Sequence, residues 1–217
     1  MASPGMVVDR SVKFAVASCV VSTRRLTPRG KERRSQLITA ATTLFATKGY
    51  HPTSVADIVD ALGVGKGVFY WYFTSKEELF IEILRTSQKD LRRRQQKVII
   101  DIDDPVERIA AGIRAAVAWS SEHRELFQLF EFAQTDERFA ASMRAGRAVL
   151  VQDAVAHLKT AIAEGLIPDT DPEQLAHAIL GVSSLLTAEY IFHREADPEE
   201  IASTVADFCL RGIGAHS

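Results

Sequence analysis

The sequence predicts an all-α protein, with an N-terminal three-helix unit of the helix-turn-helix kind and a C-terminal helical bundle. Three observations predict it. Apolar residues recur at helical spacing from about Gly30 onward. Capping residues and prolines mark successive helix starts. No stretch shows sustained period-two alternation of β-branched residues or an Asn-Gly hairpin turn.

The first helix is read over Lys31–Lys48, with Leu37, Ile38, Ala41, Leu44 and Phe45 on its apolar face and Gly49 just past its end. The second starts at Thr53 or Ser54, where Ser54 and Asp57 fit a capping box. It carries Val55, Ile58, Val59 and Leu62, and Gly63 stops it after about two turns. The third covers about 65–72. A fourth has Ser75 as N-cap with Glu78 as its box partner, and runs to about Val98 through Leu79, Phe80, Ile83 and Leu84. Beyond the acidic stretch at Asp101, Asp103 and Asp104, helices are expected over about 105–121, 123–134, 136–165, 171–195 and 198–212. Asp171-Pro172 and Asp197-Pro198 are cap-then-proline starts.

Charge is divided along the chain. Residues 1–100 hold 17 Lys/Arg against 8 Asp/Glu, and residues 101–217 hold 9 against 20. A basic front half suits a polyanion and an acidic back half does not, so the two halves are expected to do different work. Cys19 and Cys209 are the only cysteines, which excludes a disulfide framework or a zinc pattern and suits a reducing cytoplasm. No stretch is read as approaching the roughly 18 apolar residues of a membrane span. Val16-Ala17-Ser18-Cys19 resembles a lipoprotein cleavage box. Only Phe14 to Ser18 separate Lys13 from the cysteine, short of the roughly 7–15 apolar residues a signal needs. Residues 1–28 are therefore read as a flexible extension, and 29–75 and 76–217 as two units that follow it.

The stretch "LGVGKGVFYWYF", Leu62–Phe73, admits three readings. A phosphate loop, G-x-x-x-x-G-K-[ST], fails at two of its four positions: Asp60 replaces the first glycine and Gly67 the hydroxyl. A core helix accounts for Phe69 and Phe73, four residues apart on one face. It does not account for Lys66, Val68, Tyr70, Trp71 and Tyr72, which cannot all point inward on so short a helix. Two short helices joined by a glycine turn form a helix-turn-helix whose second helix enters the major groove. Gly65 and Gly67 let that helix start approach DNA without side-chain bulk.

The run "LITAATTLFATKGYHPTSVADIVDALGVGKGVFYWYFTSKEELF", Leu37–Phe80, resembles the DNA-binding domain of the TetR family of bacterial transcriptional regulators. It is long and ordered, hence specific, and the rest of the chain resembles the family in architecture alone. The resemblance implies that Thr53 and Ser54 touch phosphate, that Lys66, Gly67, Val68 and Trp71 face the groove, and that Tyr70, Tyr72 and Lys76 hold the DNA backbone. Gly65 stands where the family usually has serine, which removes a hydroxyl cap, and Val68 often is threonine. The preceding basic segment, with Arg24, Arg25, Arg29, Lys31, Arg33 and Arg34, is either a solvated tail or an arm for phosphates or the minor groove.

In the back half, Ala178, Gly181, Leu185 and Ala188 share one helix face whose small residues permit close helix approach, as in a two-fold dimer. The resemblance implies a four-helix dimer contact there and a palindromic double-stranded DNA operator. A pocket for a small-molecule effector is expected among Trp119, His123, Phe127, Phe130, Gln134, Met143 and Tyr190, with Phe132 and Phe139 as further candidates; the same residues also suit a bundle core. Glu122, His123 and Glu125, or Glu189 and His193, offer no third metal ligand, and neither Ser183 nor Ser184 lies in a nucleophile motif. No enzyme activity, metal or cofactor is expected. The reading is a cytoplasmic, homodimeric DNA-binding regulator, most simply a repressor relieved by ligand. The alternatives are an activator or ligand-independent regulator of the same fold, or a helical binding module or enzyme.

Overall fold

The computed structural model describes residues 26–215, and within them nine α-helices and no strand. Arg24, Arg25 and the Cys19 box lie outside the described residues. The helices are α1 (Pro28–Lys48), α2 (Val55–Asp60), α3 (Lys66–Tyr72), α4 (Lys76–Ile99), α5 (Pro105–Glu122), α6 (Arg124–Thr135), α7 (Glu137–Ala163), α8 (Pro172–Leu186) and α9 (Pro198–Gly212).

Local chemistry explains most boundaries. Ser54 and Asp57 form both halves of the expected capping box. Asp104, Asp171 and Asp197 each cap a helix that begins with proline. Gly49 and Gly63 take positive φ where α1 and α2 end. Three local details differ from expectation. First, α1 begins at Pro28, because Thr27 accepts from the Gly30 amide and Pro28 occupies the first helical position. Arg29 therefore joins Lys31, Arg33 and Arg34 on the helix and does not lie on an arm before it. Second, Ser75 does cap α4, but the Glu78 carboxylate reaches back to the amide and hydroxyl of Thr74 at 2.6 Å. Third, the helix expected over 171–195 widens into a π-helical segment at Thr187–His193, within which Thr187 and Ile191 are buried.

One buried cluster joins α1, α2, α3 and the start of α4 to α6 and the start of α7. Tyr50, in the loop after α1, lies among aromatics from both parts of it. Its ring stacks on Phe132 (5.2 Å, 26°) and meets Phe80 and Phe139 edge-on, and the guanidinium of Arg138 lies 5.3 Å from its centroid. Burial, reinforced by the Glu77 carboxylate, pushes the Tyr50 phenol up and keeps it neutral. Arg138 donates to both oxygens of Asp136, which holds that carboxyl at about 2. A second buried cluster joins α5, α7, α8 and α9. Helix α4 spans the two, with Phe80 and Ile83 in the first and its later turns against α5 and α7.

The expectation about membrane-spanning length needs correction. Pro172–His193 is long and apolar enough to qualify by composition, because its alanines and aliphatic residues outweigh a few polar groups, and only 22% of the qualifying stretch is buried. Its outward face carries Ala178, Gly181 and Leu185, the last 70% exposed, and Phe208 of α9 is 60% exposed.

Candidate nucleic-acid interface and inner cavity

Helix α3 divides its side chains as its short length requires. Phe69 and Phe73 are buried, 5.8 Å apart by ring centroids, and fix the helix to the head formed by α1, α2, α3 and the start of α4. On the other side Lys66 and Gly67 are exposed, and Tyr70 and Trp71 are 57% and 52% exposed. Lys66 with Tyr70, and Gly67 with Trp71, are four residues apart and form two neighbouring rows. Large aromatics held in water by a buried anchor on the same helix form a surface available for contact. Val68 and Tyr72 are half-buried. The Tyr72 hydroxyl turns toward Gly30 at the start of α1, and its ring meets Trp71 edge-on at 4.4 Å.

Gly65 is the N-cap of α3 and supplies no side-chain bond. A Cβ there would meet open space, and its φ of −78° suits any residue. Gly65→Ser is therefore expected to cap α3 and raise stability by a few tenths of a kcal/mol, seen as a small rise in melting temperature with tighter DNA binding. A lower melting temperature would show that the hydroxyl cannot reach the α3 amides.

Three expected DNA contacts are corrected. Thr53 is fully buried, and its hydroxyl donates to the Gly49 carbonyl at 2.8 Å, so Ser54 alone caps α2. The Lys76 ammonium donates to the carbonyls of Tyr50 (2.9 Å) and Thr53 (2.8 Å) and lies 4.3 Å from the Tyr50 ring centroid. Burial pushes its pKa down, and the carbonyls at the α1–α2 corner take the place of water. Arg34 pairs with Glu82 of α4 at 3.0 Å and covers the Phe73 ring. These three side chains hold the head together. Ser54 stays exposed, and Arg33 is half-buried on α1.

Behind the head lies a cavity of about 880 Å³ bounded by α4, α5, α6, α7 and α8. Trp119, His123, Phe127, Phe130, Gln134 and Met143 all line it. Tyr190 does not. It packs against the second cluster with the Arg194 guanidinium 4.9 Å from its ring. Phe132 and Phe139 belong to the Tyr50 cluster. Gly181, Leu185 and Ala188 flank the cavity, so its rim adjoins the exposed α8 face, whereas Ala178 lies off the rim.

Sequence reasoning missed the α4 wall. Gln88, Leu91, Arg92 and Gln95 face the cavity at helical spacing inside a segment that reads simply as basic. This wall is tied down on several sides. Arg92 pairs with Asp153 of α7 through two bonds, the Nη2–Oδ1 one being 2.9 Å. Trp119 Nε1 donates to Asp90 at 2.9 Å, and Gln95 donates to the Gly112 carbonyl at 3.0 Å. The Gln88 carboxamide rests against Gly146, where a Cβ would collide with it at 2.2 Å. His123 stacks on Trp119 at 4.4 Å, with its Nδ1 2.8 Å from the Trp119 carbonyl. Among the described residues no three His, Cys, Asp or Glu side chains are grouped to hold a metal.

Comparison with known proteins agrees with this geometry. Residues 37–83 match the family described as bacterial regulatory proteins, tetR family, and residues 102–213 match a tetracyclin repressor-like C-terminal domain. The HTH-type transcriptional regulator YdgC of Bacillus subtilis is 23% identical over 190 residues, covering 85% of this chain and 94% of its own. The HTH-type transcriptional repressor KstR2 of Mycolicibacterium smegmatis is 36% identical over 92 residues, covering 42% and 44% of the two chains. The crystal structure of the TetR family regulator PfmR from Thermus thermophilus superposes with a TM-score of 0.68 at 26% identity, covering 81% of this chain and 97% of that one.

Proposed function

The chain belongs to the tetR family of bacterial regulatory proteins, and from that premise we propose that it is a homodimeric repressor that leaves a palindromic operator when a small molecule fills the α4–α8 cavity. That it is a DNA-binding transcriptional regulator and not an enzyme follows from the family itself. The observation that carries the proposal is the pairing of an anchored, outward-facing α3 with a cavity whose wall includes α4. Three residues separate the end of α3 from the start of α4. A displacement of its cavity-lining turns would therefore tilt the recognition helix. In a dimer the two α3 helices must sit about 34–36 Å apart, or a multiple of that, to enter successive major grooves. Ligand acts only if it binds the displaced state more tightly than the DNA-bound one.

Selection of bound fragments from a genomic library supplies the operator and tests the reading. The expected product is an inverted repeat, and its neighbouring genes suggest effectors to add back. Saturation of the cavity with no change in operator affinity would remove the induction step. A relative named as a transcriptional activator, FasR of Mycolicibacterium smegmatis, is 34% identical over 84 residues. This supports a second reading in which the bound dimer activates, and transcription in vitro separates the two.

The dimer reading rests on the unburied apolar face of α8 with Phe208 of α9. A second copy covers such a face in a cytoplasmic protein without any membrane. Leu185→Asp is expected to yield monomers in sedimentation and to weaken operator binding on the order of 100-fold, through lost coupling of the half-sites. An unchanged dimer would relocate the interface.

A further inference from the structure

We propose that the cavity takes an amphipathic carboxylate, with its head on Arg92 and Arg108 in place of Asp153 and its alkyl chain along the Trp119–Phe127–Phe130 wall. This rests on reading the cavity as a ligand site and names the ligand's class. The cavity has two chemically distinct ends. Trp119, Leu126, Phe127, Phe130 and Met143 make one end mainly apolar, with His123, Glu131 and Gln134 beside them and Arg147 one turn beyond Met143. Arg92, Arg108, Asp153 and His157 make the other polar. The ends are well separated. Arg108 and Trp119 are eleven residues apart on α5, about 16 Å along the axis. Met143 and His157 are fourteen apart on α7, about 21 Å. Helices α5 and α7 pack together, and in each the same end of the cavity is polar.

Charge at the polar end is out of balance. Asp153 satisfies Arg92. Among the described residues, no carboxylate lies within ion-pairing distance of Arg108, whose Nε donates to the Ile102 carbonyl. Burial and then the charge of Arg108 push down the pKa of His157, one turn beyond Asp153, against a smaller opposite pull from Asp153. A guanidinium lining a cavity with a carbonyl but no carboxylate is an anchor for a monoanion, and its planar fork favours a carboxylate. The span between the ends fits a chain of roughly a dozen carbons. A ligand carboxylate on Arg92 releases Asp153, and with it the bidentate tie between α4 and α7.

Calorimetry on the full chain with dodecanoate, 1-dodecanol and dodecylammonium tests this. Dodecanoate is expected to bind at least tenfold more tightly than the other two. Arg108→Gln should weaken dodecanoate on the order of tenfold, and Asp153→Asn should tighten it by removing the competing carboxylate. Melting temperatures of both unliganded variants verify their folds. Absence of dodecanoate binding overturns the proposal. Equal binding of dodecanol also overturns it, while sustaining the cavity as a ligand site. Weaker dodecanoate binding by a folded Asp153→Asn protein overturns the exchange of partners on Arg92. Binding with the expected charge dependence but without operator release upholds the ligand class and sinks the induction reading alone.

Discussion

Replacing Lys66 and Tyr70 together with alanine is expected to remove operator-specific binding while leaving the melting temperature nearly unchanged. Both side chains stand in water on the outer rows of α3, so their loss opens no cavity in the core. The helix keeps its place because Phe69 and Phe73 remain buried. A direct contact to base or phosphate contributes about 1–3 kcal/mol, so the pair should weaken specific binding by roughly 100-fold or more. Loss of the Lys66 charge should also lower the salt dependence of binding by about one phosphate contact. Fluorescence anisotropy with the selected operator and a random duplex, at several salt concentrations, reads both effects. Undiminished preference for the operator would mean that α3 is not the recognition helix.

Phe80→Ala carries the largest expected effect on stability, about 3–5 kcal/mol, which at this chain length lowers the melting temperature by roughly 10 °C or more. Phe80 is fully buried, and its ring meets Phe45 at 5.5 Å, Tyr50 at 4.9 Å and Phe139 at 4.5 Å. These partners come from α1, the following loop and α7, and no single small shift can refill the space left among all three. Because the cluster joins the head to α6 and α7, the variant should also loosen both parts together. Thermal denaturation followed by circular dichroism measures the first effect, and limited proteolysis of the α1–α3 region against α5–α9 measures the second. A shift of only a degree or two would show that the aromatic cluster closes over the gap.

The helices were legible because their signals are local. A cap, a proline at the first position or a terminal glycine acts within four residues, and apolar periodicity within a few turns. Hence α2, with its Ser54–Asp57 box, and α5, α8 and α9, with their Asp-Pro starts, lie within a residue or two of expectation at their starts. The start of α1 was missed although Thr27-Pro28 carries the same signal, because the cluster of arginines suggested an extended arm. Glu78 took Thr74 and not Ser75, a choice between neighbouring donors that depends on the turn's final shape. The π-helical segment at Thr187–His193 left no mark in the local pattern.

The amino-acid sequence by itself determined the all-α class, the helix order and the division of α3 into anchor and outer face. Those follow from period, caps and the impossibility of burying every side chain of a seven-residue helix. Only the tertiary structure decided where long polar side chains point. Lys76 reaches 26 residues back to the Tyr50 carbonyl, Arg92 reaches 61 residues forward to Asp153, and Thr53 turns inward to Gly49. Each could equally have faced water or DNA on local grounds. Packing brought carbonyls and carboxylates within reach, and a cation or hydroxyl deprived of water takes the acceptor that packing provides.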